Sequence, residues 1–247
     1  MPRFFVRQDR VRDNLISIIG DDAHHIARSL RMAVGEEITV CDMQGNEYTC
    51  KISSFDEDRE VISEILSVKH SENEPKVFVR LFQALPKGDK LDTIIQKAVE
   101  CGVGEIIPFE SERCIVRIKS DAEERKTERR QRIAAEAAKQ CGRSVIPEIK
   151  PSLSFRDAIG QALESDICLF CYEGDGTEPL GTILREFESR MPQSISVFVG
   201  SEGGFSVKEA EAAKALGMKM TGLGKRILRT ETASGFVLAC IVCATEL

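Results

Sequence analysis

Residues 194–235 read SISVFVGSEGGFSVKEAEAAKALGMKMTGLGKRILRTETASG, and their reading decides the fold. SISVFV is short, apolar and β-branched, the texture of a buried strand. SVKEAEAAKALG opens with a capping box, Ser206 and then Glu209, and stops at Gly217. MKMTGL is a second strand. Strands alternating with helices in this way build a mostly parallel sheet covered on both faces. The segment after the second strand is unusual. Lys225, Arg226 and Arg229 crowd the entrance to the most apolar stretch of the chain, Phe236 to Ala244. A core helix has no need of that charge, whereas a ligand site does.

The same alternation extends upstream as far as Pro75. VFVRLFQA reads as a strand. KLDTIIQKAVECG carries Leu91, Ile94, Ile95, Ala98 and Val99 at helical spacing and ends at Gly102. EIIPFE, VIPEI and ICLFCY read as strands. Residues 121–141, Phe155 to Leu163 and Leu180 to Phe187 read as helices. Before Pro75 the rhythm differs. EEITVCD and EYTCKIS are short alternating runs separated by Gly35 and the QGN of residues 44–46, which predicts small β structure. One short helix is expected over Asp21 to Met32, capped by Asp21 or Asp22. The polar stretch VKHSENEPK marks a boundary, giving domains 1–72 and 73–247.

Composition narrows the function classes. The 247 residues are 42% hydrophobic and 30% charged, with net charge -6, which fits a soluble globular protein and excludes a simple basic coat for nucleic acid. MPRFFVRQDRVRDN has no apolar core of a secretory signal, and FVLACIVCA falls short of the ~20 residues that span a bilayer. A cytoplasmic protein is expected, with no membrane partner. Two CxxC pairs, Cys168/Cys171 and Cys240/Cys243, could build a zinc site or simply pack. Both sit in unbroken apolar runs without the turn that aims two sulfurs at one point, so packing and no metal are expected.

Ligands of open α/β sheets bind beyond the carboxyl ends of the strands. Three strand exits carry glycine: ICLFCY into EGDGTEP, SISVFV into GSEGGFS, and MKMTGL into GKRILRTETASG. Each alone is equally a turn; three on one sheet favour a site. The dinucleotide fingerprint and the P-loop are both absent. The histidines, His24, His25 and His70, all lie in the amino-terminal part, so a Ser-His-Asp arrangement is unconvincing.

GSEGGFS followed by LGKRILRTETAS resembles the paired signature of the SPOUT methyltransferases, and among them the ribosomal RNA small subunit methyltransferase E family. KGDKLDTIIQKAVECGVGEIIPFESERC and EAAKQCGRSVIP resemble further family motifs. PRFFV and HHIARSLRMAVGEEITVCDMQGNEY resemble the RNA-binding domain of PUA-like β-barrel type. Two departures stand out: Ser201 replaces a usual proline, and Cys101 replaces a usual leucine. The resemblance implies an α/β fold with a carboxyl-terminal SPOUT parallel sheet tied in a trefoil knot, plus the small PUA-like domain. It implies an enzyme that takes S-adenosyl-L-methionine, works as a homodimer and methylates N3 of one uridine in 16S ribosomal RNA. The substrate is the free RNA or an assembled small subunit. The alternative is a non-catalytic RNA-binding or assembly protein on the same fold.

The site residues then take roles. Gly200, Gly203 and Gly204 allow close backbone approach to the cofactor, and Glu202 and Gly224 lie in the same loops. Leu223, Ile227 and Leu228 sandwich a flat apolar adenine, or else Ile227 and Leu228 pack in the core. Thr232 caps the last helix or reaches the cofactor. Arg229 stabilises the anionic base, or is a helix-entrance arginine bonded to a carboxylate. Glu202 or Glu231 accepts a proton or holds that arginine. Arg3, Arg7, Arg28, Arg31, Arg113 and Arg143 are the expected RNA contacts. The run KSDAEERKTERRQR intersperses acids and bases and reads as a solvated helix face.

Overall fold

The computed structural model describes residues 1–56, 59–118 and 120–247. The chain forms two units, Met1–Glu74 with Ala138–Ile146, and Pro75–Ala137 with Pro147–Leu247.

In the first unit the strands are β1 (Arg3–Phe5), β2 (Val11–Arg12), β3 (Leu15–Ile19), β4 (Glu37–Cys41), β5 (Asn46–Asp56) and β6 (Glu60–His70). Their order is β1-β4-β5-β6-β3-β2, antiparallel except for β1 beside β4. Phe4, Ile16, Ile18, Ile38, Val40, Ile52 and Val61 come from five strands and bury one shared core. The turn between β4 and β5 is organised by Asp42. Its carboxylate accepts from the Gln44 and Asn46 amides at 2.8 and 3.1 Å, while Gly45 takes a positive φ. The short helix α1 (Asp21–His24) continues as a π-helical turn over His25–Ser29. Its N-cap is Gly20, not Asp21 or Asp22. Both acids lie inside the first turn, where they complement the helix dipole instead of capping it.

The return of Ala138–Ile146 to this unit is not foreshadowed in the sequence, which suggests one cut near residue 72. Glu74 explains the return. Its carboxylate accepts from Arg143 Nη2 at 2.7 Å and from the Ser144 and Val145 amides at 2.7 and 3.1 Å. Those amides are thereby withdrawn from strand pairing, and the expected strand VIPEI shrinks to Glu148–Ile149.

The second unit contains β7 (Phe78–Ala84), α2 (Lys90–Glu100), β8 (Glu105–Glu110), α3 (Ser120–Cys141, whose last turn lies in the first unit), β9 (Glu148–Ile149), β10 (Leu153–Ser154), α4 (Phe155–Ala162), β11 (Ile167–Cys171), β12 (Glu178–Pro179), α5 (Leu180–Arg185), β13 (Ser194–Val199), α6 (Val207–Ala215), β14 (Lys219–Gly222) and α7 (Thr230–Thr245). The sheet order is β10-β8-β7-β13-β11-β14-β12, with β9 on β8, and each pairing is parallel. Register brings Phe82, Phe198 and Phe170 side by side on β7, β13 and β11. Phe82 stacks on Phe198 at 4.6 Å, and Phe170 meets Phe205 at 4.2 Å. Burying each of these rings contributes about 1.5–3 kcal/mol. The aromatic ladder ends one residue before the β13 exit, so it is the rigid floor beneath the loops at that edge. The expected stripe of α2, Leu91 to Val99, is buried. α7 packs on α2 and α5 and buries Ala233, Val237, Leu238 and Ile241. Its opposite side leaves Phe236, Ala239 and Cys243 exposed.

Candidate active site

The three glycine-bearing strand exits converge on one cleft of about 470 Å³ in the second unit. The β11 exit contributes Tyr172 and Glu173. The β13 exit contributes Gly200, Ser201, Glu202, Gly204 and Phe205. The β14 exit contributes residues 223–230, and Lys90 enters from the start of α2.

The β13 loop is a tight turn. Ser201 and Gly204 form an isolated antiparallel bridge, closed by a 2.9 Å bond from the Gly204 amide to the Ser201 carbonyl. A Cβ on Gly200 would stand 3.0 Å from Gly204 Cα, and Gly204 has φ +62°, so both positions require glycine. The loop is tied to α7 from below. Thr230 Oγ1 donates to the Gly200 carbonyl at 2.6 Å and accepts from the buried Gln83 Nε2 at 2.9 Å.

Gly203, expected at the cofactor, points elsewhere. A Cβ there would meet Arg113 Cβ at 3.1 Å, and Arg113 Nη1 donates to the Gly203 carbonyl at 3.0 Å. The capping box of α6 is present, with the Ser206 amide bonded to Glu209 Oε2 at 2.8 Å. Glu209 Oε1 also accepts from the Glu112 amide at 2.8 Å, which places Arg113 beside the loop.

The charged end of the cleft centres on Lys90. Its ammonium lies 2.9 Å from Glu202 Oε1 and 3.5 Å from Glu231 Oε2. The second contact is close enough for charge attraction but lacks hydrogen-bond geometry, and Glu231 Oε2 has no hydrogen-bond partner. Desolvation pushes the Glu202 carboxyl up. The bond from Lys90 and the backbone bonds, including that from the Lys87 amide, outweigh it and hold the group below its ordinary value. Glu202 is therefore an ionised anchor for Lys90, and a weaker base than a free glutamate. The hydrogen bond from Lys90 to Glu202 conversely raises the Lys90 ammonium.

The apolar wall comes from the β14 exit. Leu223 and Leu228 are half-buried, while Ile227 is 86% exposed. Ile227 is therefore not core, which removes the packing alternative for that residue. Arg229 is the N-cap of α7 by backbone geometry, with no side-chain cap bond. Among the described residues the side chains of Lys225, Arg226 and Arg229 make no hydrogen bond or ion pair, so Arg229 is not held by a neighbouring carboxylate. Thr232 is exposed and outside the cleft lining, so neither of its expected roles is seen. Thr230, two residues earlier, does the tying instead.

Of the expected RNA contacts, Arg7, Arg28, Arg31 and Arg113 are exposed. Arg3 and Arg143 are not surface cations. Arg3 lies 2.8 Å from Glu47, and Arg143 is 5% exposed against Glu74. Their guanidiniums are used inside the first unit, because each faces a carboxylate distant in sequence. Sequence reasoning missed Lys90, Ser201, Glu173 and Thr230 as site residues. The EGDGTEP exit was a usable signal for Glu173, but nothing near Lys90 announces Glu202. Cys171 also lines the cleft, where burial pushes its thiol up to about 12 and keeps it neutral. Among the described residues no cluster of His, Cys, Asp and Glu is placed to hold a metal.

Residues 72–242 match the RNA methyltransferase domain model, and residues 18–66 match the RNA methyltransferase PUA domain. The ribosomal RNA small subunit methyltransferase E of Bacillus subtilis is 33% identical, over 100% of this chain and 98% of its own. That of Aquifex aeolicus is 34% identical, over 93% and 94%. A solved structure from Neisseria gonorrhoeae, a ribosomal RNA small subunit methyltransferase E bound to S-adenosyl methionine, superposes with a TM-score of 0.85 at 31% identity, covering 98% and 97%.

Proposed function

From the chain's membership of the RNA methyltransferase family, which these matches establish, we propose that it is an S-adenosylmethionine-dependent methyltransferase of small-subunit ribosomal RNA, with N3 of a uridine as acceptor. The observation that carries this reading is the cleft itself, where glycine backbone, an apolar wall and unpartnered arginines meet at three strand exits.

The residues present fit the cofactor. Gly200 and Gly204 let the turn's backbone line the cleft, and a Cβ on Gly204 would meet Glu173 Oε1 at 3.1 Å, while Leu223, Ile227 and Leu228 offer apolar faces to a purine. Bound there, the cofactor supplies a methyl group already activated on a sulfonium, so the protein has mainly to position groups and tune charge. Uridine N3 is protonated and a poor nucleophile. Arg229, exposed and without a side-chain partner among the described residues, favours the anionic base and fixes its orientation. Glu202 acts on Lys90, holding the ammonium in the cleft, and the N3 proton passes to solvent at the mouth beside Arg229.

Phosphates are met by Arg7, Arg28 and Arg31 of the first unit and by Arg113 of the second. Lys225 and Arg226 add positive charge at the cleft mouth. Binding weakens as salt rises, through counterion release. The chain is a homodimer, and a second copy covers the exposed apolar side of α7, where Phe236, Ala239 and Cys243 face solvent. The carboxyl-terminal segment is knotted, and the protein works in the cytoplasm. Among the described residues no helix is long and apolar enough to cross a membrane.

Two measurements test this. Calorimetric titration with S-adenosylmethionine should show binding, and no binding at near-millimolar cofactor would sink the enzyme in favour of a non-catalytic RNA-binding protein. Mass-spectrometric mapping of ribosomal RNA from cells lacking the protein should show one missing methyluridine. A missing methyl group on a different base would refute the N3 assignment and leave the cofactor reading intact.

A further inference from the structure

Two carboxylates line the cleft, those of Glu202 and Glu173. Glu202 is committed to Lys90 at 2.9 Å. Glu173, at the β11 exit, is exposed and makes no hydrogen bond or ion pair among the described residues. Its carboxylate is turned toward the β13 loop. A Cβ on Gly204 would stand 3.1 Å from Glu173 Oε1, so the oxygen uses the room that this cleft-lining glycine leaves. The backbone on either side of Glu173 is held. The Tyr172 amide donates to the Thr221 carbonyl at 3.0 Å, and the Tyr172 ring lies where a Cβ on Gly174 would be. The remaining charges in the cleft wall, Lys225, Arg226 and Arg229, are all positive and unpaired among the described residues, and none of them reaches Glu173. Free charges of opposite sign kept apart in one cleft suit a ligand environment in which each sign has its own task.

We propose that Glu173 is a cofactor-specificity residue, whose carboxylate attracts the sulfonium of S-adenosylmethionine and makes the cleft favour the charged methyl donor over its neutral product, S-adenosylhomocysteine. The inference rests on the reading of the cleft as the cofactor site. Its ground is electrostatic. With Lys90 and Glu202 paired, the free charge of the cleft wall is positive apart from Glu173. Cations there suit a polyanionic substrate but repel a sulfonium, and Glu173 is the group that offsets them. The two forms of the cofactor share the adenosine and the amino-acid tail and differ in the methyl group and its positive charge. A carboxylate near the sulfur therefore distinguishes them by charge. Methyl transfer removes that charge, so the attraction to Glu173 is present for the donor and gone once the product has formed.

The test uses the full-length protein, Glu173→Gln and Glu173→Asp. S-adenosylmethionine and S-adenosylhomocysteine are titrated into each by calorimetry, without RNA and at low and high salt. Glu173 has no internal partner among the described residues, so Glu173→Gln should melt with wild type. At low salt Glu173→Gln is expected to lose about two- to fivefold more affinity for S-adenosylmethionine than for S-adenosylhomocysteine, the scale of one solvent-exposed charge pair. Glu173→Asp keeps the charge and should keep most of the preference, and high salt should shrink the difference between wild type and Glu173→Gln. Equal weakening for both ligands overturns the proposal, since it means that the carboxylate serves a group the two share, a ribose hydroxyl or the ammonium of the tail. Wild-type affinity for both ligands in Glu173→Gln overturns it too, as does a loss of preference in Glu173→Asp as large as in Glu173→Gln. Wild-type protein that binds neither ligand refutes the cofactor reading itself, so the two failures are separable.

Discussion

Replacing Thr230 by valine removes one hydroxyl and nearly preserves shape. That hydroxyl makes two buried bonds, to the Gly200 carbonyl at 2.6 Å and from Gln83 Nε2 at 2.9 Å. Gln83 keeps a bond to the Ala84 carbonyl at 3.0 Å and a long one to the Gly200 carbonyl at 3.4 Å, so neither partner is fully orphaned. At ~0.5–1.5 kcal/mol net for each bond, the loss is about 1–3 kcal/mol, with the remaining contacts favouring the middle of that span. For a chain of this size each kcal/mol moves the midpoint by roughly 2–4 °C, so Thr230→Val should melt about 4–8 °C below wild type. The same bond ties the β13 loop of the cleft to the start of α7, so, on the proposed reading of that cleft, calorimetric affinity for S-adenosylhomocysteine should fall together with the melting temperature. The two readouts are measured on the same preparation. A variant that melts within about 1 °C of wild type would refute the reasoning, because it would mean that the Gly200 carbonyl and Gln83 do not depend on Thr230. A lower melting temperature with unchanged affinity would confine the bond to stability and remove it from the site.

Arg229→Ala should melt like wild type, since the side chain has no internal partner among the described residues. It should retain the cofactor and lose at least ~100-fold in methyl transfer, the scale of a removed electrostatic stabiliser; near-normal turnover in single-turnover assays would take Arg229 out of the mechanism. Arg143→Ala leaves the half-buried Glu74 carboxylate without its cation but with its hydrogen bonds from Ser144 and Val145, and should cost ~1–3 kcal/mol in urea unfolding. A stable variant with selectively weakened RNA binding would instead restore Arg143 as an RNA contact. The Lys90–Glu202 pair adds a pH signature. Glu202 is lowered in the folded state, so its contribution is present above the ordinary carboxylate value of about 4.3 and is lost as pH falls through the folded value. Lys90 is raised, so its contribution is present below about 10.4 and is lost as pH rises through the folded value. The stability gap between wild type and Glu202→Gln should therefore be flat across neutral pH and close in acid. A gap persisting undiminished at about pH 2 contradicts the ionised pairing.

Local patterns carried much of this protein. The stripe of α2, the capping box at Ser206 and Glu209, and the strands SISVFV and ICLFCY are legible because periodicity and capping act over a few residues. The three glycine-bearing exits were legible as a site for a similar reason, since strands laid parallel in one sheet bring their carboxyl ends to one edge. Other features depend on pairings between distant positions. Lys90 meets Glu202 from far along the chain, Glu74 draws Ser144 and Val145 back to the first unit, and Arg3 spends its charge on Glu47. Gly203 turns to Arg113 while its neighbour Gly204 lines the cleft, a difference set by the turn's backbone angles. By itself the sequence determined which segments become strands and helices and which loops gather at the ligand edge, because those depend on short-range periodicity and steric rules. Only the tertiary structure decided which cations stay free for a ligand and which hydroxyls are spent. A charge or hydroxyl is committed by whatever partner packing brings within about 3 Å, and that partner can lie anywhere in the chain.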